Sequence, residues 1–343
     1  MTNPLLSNWT GAFSLPPFDT IKDEDFGPAF DTALEEARAA IKAVAENPEP
    51  PSFANTIAAM EEAEGALEKV AGVFFNLAGS DTNDARQNLQ RDLAPKLSAF
   101  SSEMTMNAAL FARIETLWQG RDALALSDEE ARVLELYRRM FVRAGAQLQG
   151  DAAERLKDVK SRLAVLSTDF TQNLLADERD WAHPLEADDL AGLPDFVVAA
   201  ANAAAEERGQ TGHVLTLSRS LVVPFLQFSP RRELREMAYK AWGARGANGG
   251  DTDNRAIATE ILKLREERAH LLGYADFASF KLEPEMAKTP DAVRDLLMRV
   301  WQPARASAEA DAAALEAMMH ADGINGQLEP WDWRYYAEKR RER

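Results

Sequence analysis

Four histidines are all that this 343-residue chain offers for imidazole chemistry: His183, His213, His270 and His320. They are followed by Pro184, Val214, Leu271 and Ala321, and no two stand four positions apart. A helical zinc hydrolase site of the H-E-x-x-H type needs two imidazoles one turn apart, so that both face one side, with a glutamate to activate water. The sequence does not contain that motif. It has no cysteine, which removes thiolate nucleophiles, disulfides and Cys-ligated zinc. No serine sits in G-x-S-x-G, the elbow that exposes a hydrolase nucleophile.

Other candidate chemistry reads as structural. Gly243 to Gly250 is glycine-rich, but it follows a helical pattern rather than a strand and lacks the G-K-S/T of a phosphate loop. Glu61, Glu62 and Glu64, and likewise Glu266 and Glu267, are neighbouring carboxylates of the kind that can divide acid and base roles. They fall on the polar faces of amphipathic helices, where solvation keeps them ordinary. Asp81, Asn83 and Asp84 resemble a calcium loop only in part, without its glycine and terminal glutamate. Trp242, Trp301 and the cluster from Trp331 to Tyr336 could stack on a ligand or peptide, but core or interdomain packing is the simpler use of them.

The elements that would carry these residues are mostly helices. Phe26, Phe30, Leu34, Ile41 and Val44 repeat at helical spacing, as do Ile57, Met60, Leu67, Val70 and Phe74. Leu110, Ile114 and Leu117 mark a further helix. Ser127 with Glu130 forms a capping box ahead of Leu134, Tyr137 and Phe141. Leu156, Val159, Leu163, Leu166, Phe170 and Leu174 make the clearest stripe of all. The β-prone runs His213–Leu217 and Leu221–Phe228 predict a small hairpin near 213–228, with Pro224 at an edge or bulge. Ser229-Pro230 and Thr289-Pro290 read as helix starts, and Pro303 as a kink or stop. Asp332 reads as an N-cap, opening a helix rich in large aromatics.

Length allows roughly two domains of about 150 residues, and the pattern divides at 1–180, an amino-terminal helical region, and 181–343, the hairpin with further helices. The net charge of -17 argues against nucleic acid and against anionic membrane surfaces as partners. The first residues carry neither a basic n-region nor an apolar h-region, and no run approaches about 18 apolar residues. A cytoplasmic address is the expectation.

Several segments taken together carry a resemblance. They include Leu15-Pro16-Pro17-Phe18-Asp19, Phe26-Gly27-Pro28-Ala29-Phe30, Pro51-Ser52-Phe53-Ala54-Asn55-Thr56-Ile57 and Phe141-Val142-Arg143-Ala144-Gly145. Further on stand Arg231 to Glu236, Ala241-Trp242-Gly243-Ala244-Arg245-Gly246, Ala269-His270-Leu271-Leu272-Gly273-Tyr274, Met286-Ala287-Lys288-Thr289-Pro290 and Trp331-Asp332-Trp333. In this order, from about residue 4 to residue 339, the chain resembles the thimet oligopeptidase family of zinc metallopeptidases, with peptidyl-dipeptidase and oligopeptidase A as its bacterial forms.

The resemblance implies a mainly α, two-lobed fold whose channel admits short unfolded peptides, and a single zinc held by H-E-x-x-H and a downstream glutamate. Those residues have no counterpart here. The expectation is therefore an amino-terminal half, ending partway through a fold, with no catalytic, cofactor-binding or metal-ligating residue of its own. Alone it is expected to be inactive and to hold no zinc. A separate chain carrying the catalytic half could complement it. Otherwise it serves as a helical peptide-binding module without catalysis.

Overall fold

The stripe from Phe26 to Val44 becomes the buried face of α1, Asp23–Ala45, in a computed structural model that describes residues 3–342. The chain divides into two compact units, Met1–Ala153 and Glu154–Arg343.

In the first unit α1 packs along α2, Ala59–Ser80. Phe74 of α2 meets the edges of Phe26 and Phe30 at 5.2 and 5.4 Å between ring centroids. This is the favoured geometry for aromatic quadrupoles. α3, Asp84–Thr105, α4, Ala108–Gly120, and α5, Asp128–Ala144, complete the core with Leu93, Phe100, Leu110, Ile114 and Phe141. Ser127 caps α5 and Glu130 reaches back to the Ser127 N–H at 2.8 Å, as the capping box predicts. Ahead of α2, Phe53–Ala58 forms a π-helical turn. Buried Arg113 of α4 holds it, donating to Asn55 Oδ1 at 2.8 Å, to the Asn47 and Glu49 carbonyls at 2.9 and 3.1 Å, and to Thr56 Oγ1 at 3.3 Å.

The second unit starts within α6, Asp151–Asp180. Then come β1, Ala182–Leu185, α7, Asp195–Glu206, β2, His213–Thr216, α8, Arg219–Phe228, and α9, Arg232–Gly243. α10, Arg255–Leu271, α11, Phe277–Leu282, α12, Pro290–Ala321, and α13, Pro330–Arg341, follow. The two strands are the only sheet among the described residues, paired antiparallel with His183 opposite Leu215 and Leu185 opposite His213. No described helix is long and apolar enough to cross a membrane.

The fold is mainly α, as the periodicity implies, but the hairpin near 213–228 is not formed. β2 pairs with β1, some thirty residues earlier, and the run from Leu221 to Phe228 is helical. Leu221, Val222, Phe225 and Leu226 are buried against α7 and β2. Burying one helical face outweighs the β-propensity of those residues, and the helix runs through Pro224. Ser229 does not start α9. It closes α8, its N–H donating to the Phe225 carbonyl at 2.9 Å.

Thr289 does cap α12, with Pro290 at its first position. Pro303 does not end that helix: α12 continues to Ala321. Ala304, Ala306, Ala308 and Ala310, which follow Pro303, are strong helix formers that favour its continuation.

Glycine does specific work in the loop after α9. Gly246 has φ of +68°, and a Cβ there would meet Leu174 Cδ2 at 2.9 Å. Its N–H donates to Asp177 Oδ2 at 2.7 Å, and Asn248 and Thr252 donate to the other oxygen of the same carboxylate. These bonds hold Asp177 below its ordinary carboxylate range against the upward push of desolvation. The glycine-rich segment is thus pinned to α6.

Candidate functional site

α9 begins with two arginines one turn apart, Arg232 and Arg235, close to the end of a helix that disfavours cations. An anion is needed there, and α13 brings it. Asp332, which the sequence reads as an N-cap, is instead the third residue of α13, behind Glu329 as the cap. Its carboxylate accepts from Arg232 Nη2 at 2.7 Å, Arg235 Nη2 at 2.8 Å and the Glu329 N–H at 3.2 Å. Desolvation pushes the Asp332 carboxyl up, but the two guanidiniums and the backbone bond outweigh it and hold it below its ordinary value.

Each of the three guanidinium nitrogens of Arg235 donates a hydrogen bond. Besides Asp332 it donates to the carbonyls of Ser229 and Trp331 at 2.8 and 3.1 Å, and lies 4.2 Å from the Tyr335 ring centre. Tyr336 packs on Leu315 and Met319 of α12. Burial raises its phenol pKa, and its hydroxyl has no hydrogen-bond partner among the described residues. The aromatic helix is therefore packed against α8, α9 and α12.

Beside this anchor lies a groove of about 770 Å³ formed by α9, α12, the loop after α12 and α13. Tyr239 and Trp333 give it aromatic faces, Glu316 and Glu329 carboxylates, and Arg334 a guanidinium. Such a lining can hold an apolar side chain, an amine and a carboxylate. The packing expected of the Trp331–Tyr336 cluster is present, while no motif in the sequence marks Tyr239, Glu316 or Arg334. The one available signal was the Arg232–Arg235 pair set against the helix dipole.

The four histidines are not brought together as ligands. His183 and His213 lie on the paired strands. His270 Nε2 is 3.0 Å from the Ala275 carbonyl and 3.3 Å from Glu266 Oε1. His320 Nε2 is 2.8 Å from the Gly326 carbonyl. Both of these finish helices. Among the described residues no three His, Asp or Glu side chains are grouped to hold a metal ion.

Residues 225–343 match the model of peptidase family M3, and the whole chain aligns with proteins of that kind. Over that segment the chain is similar to peptidase family M3. It is 35% identical to the dipeptidyl carboxypeptidase of Salmonella typhimurium, over all of this chain and 51% of that protein. It is 31% identical to oligopeptidase A of the same organism, over all of this chain and 50% of the relative. A probable cytosolic oligopeptidase A of Arabidopsis thaliana shares 28% over 99% of this chain and 49% of its own length. The chain thus spans about half the length of the M3 relatives it matches. The anchor, the groove and all of α12 lie inside the segment covered by the M3 model.

Proposed function

We propose that this chain is a member of peptidase family M3 and forms the non-catalytic helical part of a zinc-dependent oligopeptidase or peptidyl-dipeptidase that acts on short unfolded peptides in the cytoplasm. The observation that carries the reading is the alignment of the whole chain, at 35% identity, with half of a dipeptidyl carboxypeptidase. The four scattered histidines support the non-catalytic part of it. On its own the chain binds no catalytic zinc and hydrolyses nothing. A polypeptide supplying the other half of the enzyme completes it. The test is a purified chain offered a mixed oligopeptide pool with and without chelator. Chelator-sensitive cleavage by the chain alone would overturn the reading, while zinc-dependent activity on co-expression with the complementary half supports it.

The groove favours a second reading, a helical module that binds peptides without turnover. Tyr239, Trp333 and Arg334 line it beside two glutamates, and that mixture suits a short peptide with one apolar side chain and a free carboxylate. Calorimetry against unfolded peptides tests this. No heat, or heat unchanged by Trp333→Ala, counts against it.

A further inference from the structure

α12 carries an apolar face whose amino-terminal part stays exposed. Val293, Leu296, Leu297, Val300 and Trp301 recur at helical spacing, the pattern of a helix that buries one side. Yet Leu296, Leu297, Val300 and Trp301 are each more than half exposed. The same helix shows what this side is for. Leu315 stands eighteen positions beyond Leu297, and Met319 eighteen beyond Trp301. At about 3.6 residues per turn that is five turns, so each pair shares a face. Leu315 and Met319 are 2% and 0% exposed under Tyr336 of α13, whereas Leu297 and Trp301 are 60% and 57% exposed. α13 covers the carboxy-terminal part of this face and leaves the amino-terminal part open.

Charge sets the stretch apart as well. The chain carries -17 overall, but residues 290–310 hold three basic residues, Arg294, Arg299 and Arg305, against three acidic ones, Asp291, Asp295 and Glu309. A neutral apolar stripe on an acidic chain is the composition of an interface centre rather than of a solvated surface. The length of the relatives supplies the occupant. The dipeptidyl carboxypeptidase of Salmonella typhimurium aligns with this chain over only 51% of its length, and α12 lies wholly inside the M3 segment.

We infer that the Leu296–Trp301 face of α12 is the seat of the half of an M3 peptidase that this chain does not match, held chiefly by Leu297 and Trp301. This rests on the reading of the chain as one part of an M3 peptidase. A large aromatic in an apolar seat commonly dominates such an interface.

The test co-expresses the full chain with the unmatched half of the Salmonella dipeptidyl carboxypeptidase, both as separate polypeptides and joined in one. Hydrogen exchange is read at residues 293–304, and affinity is measured for the separate pair. Expected are at least tenfold slower exchange at 293–304 in the joined protein than in the chain alone, and at least tenfold weaker association for Leu297→Asp and Trp301→Asp. Circular dichroism of the variants should be unchanged, since both side chains already face solvent. Phe13→Asp, at another exposed apolar position, should leave association intact. Normal association of both α12 variants, or no protection at 293–304 in the joined protein, would overturn the inference. So would self-association of the chain through α12 that the other half does not displace. These outcomes leave the proposed function standing, whereas chelator-sensitive cleavage by the chain alone removes that reading whatever α12 does.

Discussion

Asp332 Oδ1 lies 2.8 Å from Arg235 Nη2, and both side chains are buried, the arginine 1% exposed and the aspartate 0%. Ninety-seven residues separate them in sequence. The pair fastens α13 to α9, and Arg232 adds a second guanidinium on the more open side. A buried ion pair is no guarantee of net stability relative to an apolar replacement, but removing one partner strands the other charge.

Asp332→Ala should therefore destabilise the protein by about 3–5 kcal/mol, the range for leaving a buried charge without its partner. Arg235→Ala should cost a similar amount, and the double variant much less than the sum of the two, because the charges are coupled. Urea denaturation followed by tryptophan fluorescence reads all three. Additive losses would mean that the two residues act separately.

Acid should loosen the same contact. The Asp332 carboxyl is held below its ordinary value of 3.8 in the folded chain. Its contribution is then fully present above about 3.8 and fades as the pH falls through the lower folded value. Fluorescence of Trp331 and Trp333 should stay flat from neutral pH down to about 5 and change below about 4, on the ordinary carboxylate range. In Asp332→Asn that part of the acid transition should disappear. An unchanged transition in the variant would assign it to other carboxylates.

How much of this could be read beforehand depends on the range of the interaction. The stripe from Phe26 to Val44 and the Ser127–Glu130 box are local signals, and α1 and α5 follow them. Leu221 to Phe228 misleads because β-branched residues and a proline outweigh, to the eye, a helical spacing at 221, 222, 225 and 226 that appears only once α7 and β2 supply the burial. Asp332 was legible as a capping residue, but not as the partner of arginines about a hundred positions away. The groove was illegible for the same reason. Tyr239, Glu316 and Trp333 lie on three helices, and no local pattern joins them.

In the first unit Arg113 plays the part that Arg235 plays in the second. It satisfies four oxygens around the π-helical turn at Phe53–Ala58. Arg113→Ala should leave those acceptors short of donors and cost about 2–3 kcal/mol, each lost charged hydrogen bond being partly replaced by water. Hydrogen exchange at residues 47–58 should quicken by more than tenfold. Unchanged exchange there would show that the turn holds without the arginine.

Gly246→Ala tests whether the glycine-rich loop is a fitted part or a slack linker. At φ of +68° a side chain is strained, and the new Cβ would press on Leu174 Cδ2 and on Asn254 Nδ2 at 2.9 and 3.0 Å. The expected loss is about 1–3 kcal/mol, seen as a lower midpoint in thermal unfolding. Gly209→Ala offers the comparison, because it shares a positive φ of +66° but has open space around its Cβ. Its loss should be smaller, and equal losses would leave the contact with α6 without consequence.

Zinc gives the sharpest separation between a chain that carries a metal site and one that lacks it. A ligand that binds only the folded state adds about 2.7 kcal/mol when present at a hundred times its dissociation constant. A micromolar site would therefore raise the midpoint of unfolding measurably in about 100 µM zinc, on the same relation. The histidines instead sit on paired strands, at His183 and His213, or close helix ends against the carbonyls of Ala275 and Gly326. The chain alone should unfold at the same temperature with zinc as with chelator. Replacing His183, His213, His270 and His320 one at a time with glutamine should leave that indifference in place. In the complex with the complementary half of an M3 peptidase, zinc should stabilise, and the same four substitutions should not reduce the effect. A zinc-dependent shift in the isolated chain that one of the four removes would place a metal ligand in this sequence and overturn the assignment of the zinc to the other half.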